Sequence, residues 1–106
     1  MLDKMLAICR GFNRRFPDGY NPYQMMTRLL EESGELAKEI NHFEGSGVKI
    51  EKYGLSDRSK LAKEIYQTMC CALNAAIYYH VECELKAEIE SSYQRLSDEG
   101  WIEQST

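Results

Sequence analysis

The sequence predicts an all-α fold, and three features of its composition indicate it. Glutamate outnumbers aspartate by 13 to 4, and glutamate is tolerated inside helices, whereas aspartate competes there for backbone hydrogen bonds. The only prolines are Pro17 and Pro22, so no later residue breaks a helix in that way. Valine, a residue typical of strands, occurs only twice. A length of 106 residues is typical of one domain, so we expect a single helical domain over residues 1–106.

The net charge and the cysteine content limit which partners the protein can have and in which cellular compartment it is expected. Lys and Arg number 13 against 17 acidic residues, a net charge of -4, whereas a protein that binds a nucleic acid polymer normally has a basic surplus. The four cysteines form no CxxC pair, which favours free thiols in a reducing compartment. The longest apolar run, Met69–Tyr79, is too short to span a bilayer. We therefore expect a cytoplasmic protein with neither a nucleic acid polymer nor a membrane as partner.

The first predicted helix covers Leu2–Phe16, where apolar residues recur at intervals of three and four. A turn with Pro17, Asp18 and Gly19 follows. Asn21 is then a good N-cap for a second helix, because Pro22 suits the first helical position. This second helix is predicted to run to Glu44 and to end at the following glycines. Its apolar stripe includes Met26, Leu29, Leu30, Ser33, Leu36, Ala37, Ile40 and Phe43.

The segment Val48–Leu55 has no helical stripe and is expected to be irregular. Ser56 or Asp57 can cap a third helix that runs to His80. Because this helix is apolar nearly all round from residue 69 to 79, we expect it to be the most buried one. A fourth helix is expected from Cys83 or Glu84 to Asp98.

The candidate chemistry lies in acidic residues of the second and third helices. Glu31, Glu32 and Glu35 lie three and four residues apart, so they project from adjacent turns and repel one another unless a cation lies between them. On the third helix, Glu64 precedes Gln67 by one turn. Carboxylate and amide oxygens on two antiparallel helices suit Mg²⁺ or Mn²⁺.

Two further features bear on that metal site. Gly34 lies inside the predicted helix, where glycine costs about 1 kcal/mol relative to alanine. We therefore expect a neighbouring helix to approach closely beside the glutamates. The alternative is a solvated face, because glutamate-rich helix surfaces are common and Lys38 can pair with the acids.

The segment Arg28–Ala37, with the sequence RLLEESGELA, resembles the EExxE motif of the MazG-like all-α nucleoside triphosphate pyrophosphohydrolases. That superfamily pairs EExxE with an ExxD motif on the next long helix, and Glu64–Gln67 would be this second motif here. Gln67 departs from the pattern, since it stands where the family has aspartate. The resemblance covers residues 22 to 101.

The resemblance implies a four-helix MazG-like bundle that assembles as a dimer or tetramer. It implies a Mg²⁺-dependent hydrolase that acts on an acid anhydride, cleaving a nucleoside triphosphate to the monophosphate and pyrophosphate. Glu32, Glu35 and Glu64 would be metal ligands, with Gln67 as a weaker one. Glu31 would be a further ligand or would orient the attacking water, so Glu31 and Glu32 are the candidate catalytic residues.

Three more residues are candidates for substrate binding: Lys63, Asn74 and Tyr78. Lys63 can neutralise phosphate, as can the nearby cations Arg28 and Lys60, or it can simply be solvated. Asn74, a polar amide in an apolar run, needs a partner, which is either the nucleoside or another part of the protein. Tyr78 can stack on a base or pack in the core.

Two other functions remain open from the sequence. Because Gln67 cannot act as a base and carries no charge, the protein can be a catalytically degenerate regulator that binds nucleotide or metal. It can also be a structural helical interaction module with solvated acids. Self-association is expected in each case, since a short helical chain with so apolar a third helix gains from burying it.

Overall fold

The computed structural model describes residues 1–18, 21–45, 54 and 57–103. Within these ranges the secondary structure consists of four helices with no strand, which confirms the all-α prediction. The helices are α1 (Leu2–Arg15), α2 (Pro22–Phe43), α3 (Arg58–Tyr78) and α4 (Glu82–Asp98). None of the helices in these ranges combines the length and apolar character needed to cross a bilayer.

Polar side chains start α2 and α3. The Asn21 side chain accepts a hydrogen bond from the Gln24 backbone N–H at 2.9 Å, and the Gln24 side chain accepts one from the Asn21 N–H at 3.2 Å. Pro22 is the first residue of α2, so the predicted cap is confirmed. Asp57 accepts from the Ser59 N–H at 2.9 Å and caps α3. The alternative cap, Ser56, lies outside the described residues.

The C-terminal ends of α1, α2 and α3 differ from the predicted ones by one or two residues, whereas α4 ends at Asp98 as predicted. Gly45, with a φ of 80°, stops α2 in the left-handed conformation that glycine adopts freely. At the end of α3, His80 has a φ of 56°, and the Val81 N–H donates to the Ala76 carbonyl at 2.9 Å. This turn ends α3 two residues before the predicted position. Apart from Gly54, the segment Val48–Leu55 lies outside the described residues, as does Gly19 of the predicted turn.

The chain divides into two compact units, Met1–Ala75 and Ala76–Thr106. In the first unit, α2 and α3 are antiparallel, because residues nearer the start of α2 contact residues nearer the end of α3. Glu39 pairs with Lys60, and the carbonyl of Glu32 contacts Thr68. The α1 helix buries Leu6 and Cys9 completely, and the Cys9 thiol donates to the Cys70 carbonyl at 3.7 Å. The second unit contains the last turn of α3 and all of α4.

The apolar stretch of α3 is less enclosed than its sequence predicts. Of its residues, only Cys71 and Leu73 are buried, while Met69 and Tyr79 are 41% and 57% exposed. The expectation that this helix is the most buried one is wrong for the single chain, since the shorter α1 has three buried residues and α3 has two. In the first unit, α1 and α2 cover two sides of α3, and a third apolar side stays open.

Gly34 is not a point of close helix approach. A Cβ atom added at Gly34 would meet no atom within 4 Å. The residues of α2 that contact α3, such as Glu32 and Glu39, lie about half a turn away from Gly34. The expected approach of a neighbouring helix at this glycine is therefore wrong within the chain.

Candidate functional site

Glu32 and Glu64 are brought together by the packing of α2 against α3. The Thr68 hydroxyl lies 2.8 Å from the Glu64 carbonyl oxygen of its own helix and 3.4 Å from the Glu32 carbonyl oxygen across the interface. This shared contact holds the two helices together at the level of the acidic residues. The two predicted metal ligands therefore become a carboxyl pair within the first unit.

The pKa of Glu64 shows how strained this pair is. Burial raises the pKa of the Glu64 carboxyl above its ordinary value, and the charge of Glu32 and a hydrogen bond with it raise the pKa further. Glu35 and Glu39 act in the same direction through their charges. The Oε2 atom of Glu64 is buried and has no hydrogen-bond partner among the described residues. Such a group favours a bound proton or a bound cation.

The other two acidic residues of the EExxE segment, Glu31 and Glu35, are not part of the Glu32–Glu64 contact. Glu35 is exposed, and its Oε1 atom lies 3.5 Å from the Nζ atom of Lys38. Glu31 faces an adjoining, more open depression of about 450 Å³, which Tyr23 and Thr27 also line and which shares Asp18 and Arg28 with the cleft described below. Glu31 is not among the charges that act on Glu64. The structure thus brings Glu32 and Glu64 into contact, keeps Glu35 at the edge of the pair and leaves Glu31 in the adjoining depression.

The donor chemistry fits a hard divalent cation, although the ligand set is incomplete. Among the described residues, no three His, Cys, Asp or Glu side chains lie close enough together to hold a metal ion. Glu32 and Glu64 supply two carboxylates, one with an unpartnered oxygen. A third would come from Glu35, one turn from Glu32, if its side chain left Lys38. Mg²⁺ needs few protein ligands, because it keeps several of its waters.

Glu39 is a member of this cluster that sequence reasoning missed. It is only 8% exposed, and its Oε1 atom lies 3.3 Å from the Nζ atom of Lys60. Glu39 follows Glu32 by seven residues, which is two helical turns, so the two side chains share the face that contacts α3. This spacing was the signal that could have revealed it.

A cleft of about 380 Å³ begins at Glu32 and runs between α1, α2 and α3, and Glu64 is not among its lining residues. Glu32 and Gln67 line one end, and Asn74 and Arg28 line the other. The seven residues from Gln67 to Asn74 correspond to roughly 10 Å along the helix. The remaining wall is aromatic and thiol-bearing, formed by Phe12, Phe16, Tyr66, Cys70 and Cys71, with Asp18 at the rim.

The far end of the cleft contains an unsatisfied polar atom. Asn74 Oδ1 is buried and has no hydrogen-bond partner among the described residues. Beside it, a gap of about 10 Å³ lies between Asn74, Arg28, Met25 and Cys71, which is roughly the room that one water needs. The cleft therefore offers a hydrogen-bond acceptor at the opposite end from the carboxylates.

No family model, no curated protein and no solved structure matches this chain. The resemblance of residues 28–37 to the MazG-like superfamily, and the roles that it implies, therefore stay predictions. The geometry that bears on them is the contact between Glu32 and Glu64 and the cleft that begins beside Glu32.

The two remaining predicted substrate-binding residues, Lys63 and Tyr78, do not line the cleft. Lys63 is exposed. Tyr78 belongs to the second unit, where its ring meets that of Tyr79 edge-on at 5.0 Å. Phe12 and Phe16, which line the cleft, belong to the apolar repeat of the first predicted helix. They are 50% and 53% exposed, and their four-residue spacing does not by itself distinguish a core face from a cleft wall.

We expect the metal-free protein to lose stability as the pH rises through the range in which Glu64 ionises. Because the pKa of Glu64 is raised in the folded state, the folded protein binds more protons than the unfolded chain between the two pKa values. The free energy of unfolding should fall across that interval and become level above the folded-state pKa. Urea denaturation at a series of pH values measures this dependence.

Glu64→Gln provides the comparison, because glutamine does not ionise. The variant should lose this part of the pH dependence and gain about 0.5–1 kcal/mol of stability at neutral pH without metal. Identical pH profiles for the variant and the wild type would contradict a strained carboxyl pair.

Proposed function

We propose that this protein is a Mg²⁺- or Mn²⁺-dependent nucleotide pyrophosphohydrolase of the MazG-like superfamily. It would hydrolyse a nucleoside triphosphate to the monophosphate and pyrophosphate, as a homodimer or homotetramer in the cytoplasm. The observation that carries this proposal is the Glu32–Glu64 carboxyl pair, in which Glu64 has a buried unpartnered oxygen and Glu32 lines one end of a cleft.

The pair would hold the divalent cation, with Glu35 and Gln67 as further oxygen ligands. When bound, the ion supplies positive charge for the phosphates and lowers the pKa of a coordinated water. Without it, four carboxylates repel the triphosphate: Glu32, Glu35, Glu39 and Glu64. Substrate binding should therefore require the metal.

The reaction adds water to the α-phosphorus atom, and the bond from that atom to the oxygen bridging to the β-phosphorus breaks. Pyrophosphate leaves with the bridging oxygen. Glu32, which lines the cleft, would accept the proton of the water, and Glu31, the preceding residue, would orient that water from the adjoining depression. Arg28 also lines the cleft, but it does so at the Asn74 end, beside Met25 and Cys71, so it would lie near the nucleoside.

The rest of the cleft suits a nucleoside. Phe12 and Phe16 present half-exposed rings that can stack on a base. Asn74 Oδ1 would accept a hydrogen bond from an N–H of that base. The roughly 10 Å between Gln67 and Asn74 leaves room for the sugar between base and phosphates.

Replacing Asn74 tests the nucleoside assignment. Asn74→Leu removes the acceptor at similar size, so the base N–H would be left unpaired, which typically costs 1–3 kcal/mol. We expect KM to rise about 10-fold or more, with a smaller change in kcat. Asn74→Asp keeps an acceptor oxygen and should retain more affinity than Asn74→Leu. Equal KM values for the wild type and both variants would show that Asn74 does not contact the substrate.

The proposed function is tested with a panel of ribo- and deoxyribonucleoside triphosphates and Mg²⁺ or Mn²⁺, with products followed by ³¹P NMR. We expect equal amounts of monophosphate and pyrophosphate from at least one of them. Release of inorganic phosphate with a diphosphate would indicate a different bond cleavage. No product from any nucleotide would contradict the enzymatic function.

Gln67 favours a second candidate function, a catalytically degenerate regulator that binds nucleotide or metal. Glutamine removes one negative charge from the motif, and three carboxylates are not gathered around one point within the described ranges. Such a regulator would bind nucleotide with Mg²⁺ by calorimetry but release no product. A structural interaction module would show neither binding nor hydrolysis.

A further inference from the structure

Cys9 and Cys70 form a thiol pair where α1 packs against α3. The Sγ atom of Cys9 lies 3.7 Å from the carbonyl oxygen of Cys70, and a side-chain hydrogen bond joins the two thiols. Neither of them is in a disulfide bond in this structure. The fold therefore holds the two sulfur atoms side by side, although the residues are 61 positions apart in the chain.

The two cysteines differ in how accessible they are to small molecules. Cys9 is only 1% exposed, and its burial and the neighbouring Cys70 raise the pKa of its thiol to about 12, so that Cys9 stays protonated. Cys70 is half-buried and lines the cleft, so a small molecule that enters the cleft meets this residue. An oxidant should therefore react first with Cys70, and Cys9 is the thiol that lies beside the product.

We propose that Cys70 is an oxidation site for small peroxides, and that its oxidised sulfur forms a disulfide bond with Cys9 that links α1 to α3. In the first step the O–O bond of the peroxide breaks, and one of its oxygen atoms joins the Cys70 sulfur to give a sulfenic acid. The other oxygen leaves with the Cys70 thiol proton, as water when the oxidant is hydrogen peroxide.

The second step forms the disulfide bond. The Cys9 sulfur attacks the Cys70 sulfur, the S–O bond of the sulfenic acid breaks, and the oxygen leaves with the Cys9 thiol proton as water. Over both steps two thiols are oxidised to one disulfide, and one peroxide is reduced. A thiol reductant reverses the change, so the pair would be a reversible site of the kind found in reducing compartments.

Cys71 also lines the cleft, but its position does not suit the same bond. Neighbouring side chains on a helix point about 100° apart, and Cys71 lies beside Met25 and Arg28 of α2. Cys71 acts on Cys9 through its charge alone, whereas Cys70 also shares a hydrogen bond with it. The disulfide should therefore be selective for Cys70.

Peptide mapping of the oxidised full chain tests the proposal. The reduced protein is treated with a small excess of hydrogen peroxide, the remaining thiols are blocked with iodoacetamide, and the peptides are analysed by tandem mass spectrometry without reduction. We expect Cys9 and Cys70 in one linked pair of peptides, and dithiothreitol should restore both thiols. A Cys9 that stays fully open to alkylation after unfolding, or that is linked to Cys71, would overturn the proposal.

Three serine variants provide the comparison. Cys70→Ser and Cys71→Ser are matched, because they remove neighbouring thiols of one helix. The first should leave Cys9 reduced, and the second should still form the disulfide. Cys83→Ser removes an exposed thiol of the second unit and should also form it. The mapping of the wild type decides the result even if one of the variants fails to fold.

Thermal unfolding shows whether the two sulfur atoms are already placed for bonding. A disulfide across 61 positions restricts the unfolded chain, so the oxidised protein should have an unfolding midpoint about 5 °C or more above that of the reduced protein. A lower midpoint would show that the bond strains the fold, which contradicts a pre-positioned pair. Neither measurement uses a nucleotide or a metal, so failure of the proposed hydrolysis would leave the thiol result intact.

Discussion

Glu64→Gln should lower kcat/KM for nucleoside triphosphate hydrolysis by about 100-fold or more. The substitution removes one of the two carboxylates that contact each other, and with it the charge that would hold the cation. Glutamine has nearly the same size, so the packing around Thr68 should persist. Steady-state kinetics with the preferred nucleotide and saturating Mg²⁺ measure the loss.

The control for this substitution is Glu90→Gln, which changes an exposed glutamate of α4 in the second unit. It should leave kcat/KM unchanged. The Glu64 variant should at the same time be more stable than the wild type without metal, since the strained carboxyl pair is gone. Loss of activity together with a gain in stability is characteristic of a functional site. Activity within a few-fold of the wild type would contradict a role for Glu64.

The second large effect is expected from Gln67→Asp. Gln67 lines the cleft with Glu32, and aspartate would add a third carboxylate to the site. We expect Mg²⁺ to bind about 10-fold more tightly, because affinity for a hard cation rises with the number of charged ligands. Isothermal titration calorimetry measures the dissociation constant directly.

Gln67→Glu separates charge from reach, since glutamate keeps the length of glutamine. If charge alone matters, both variants should tighten Mg²⁺ binding equally. Unchanged affinity in both variants would show that residue 67 is not near the cation. In an activity assay, a higher kcat for Gln67→Asp than for the wild type would indicate that the motif has lost a catalytic aspartate. A lower kcat would show that catalysis in this protein depends on glutamine at position 67.

The starts of α2 and α3 could be predicted from the sequence because their signals are local. The Asn21–Gln24 capping box and Pro22 lie within four consecutive residues, and they start α2 as expected. The end of α3 was harder, because it depends on His80 taking a left-handed conformation that few non-glycine residues adopt. Local sequence signals thus predicted where α2 and α3 begin more accurately than where α3 ends.

The site was harder to predict because it depends on which side of α2 meets α3. The sequence shows one broad apolar stripe, but in the structure Met25 and the buried Glu39 face inward, whereas Met26 and Leu30 are exposed. Periodicity cannot separate these two faces. For the same reason the burial of Glu39, and the exposure of Phe12 at the cleft, required the tertiary structure.

The most direct test is a calorimetric titration of the nucleotide-free protein with Mg²⁺ at several pH values, alongside Glu64→Gln. A cation at the Glu32–Glu64 pair must displace the proton that the raised pKa of Glu64 retains. We predict binding that weakens as the pH falls, release of a proton in the acidic range, and loss of both effects in Glu64→Gln. Absence of Mg²⁺ binding, or equal binding by the variant, would contradict the assignment of this pair as the metal site.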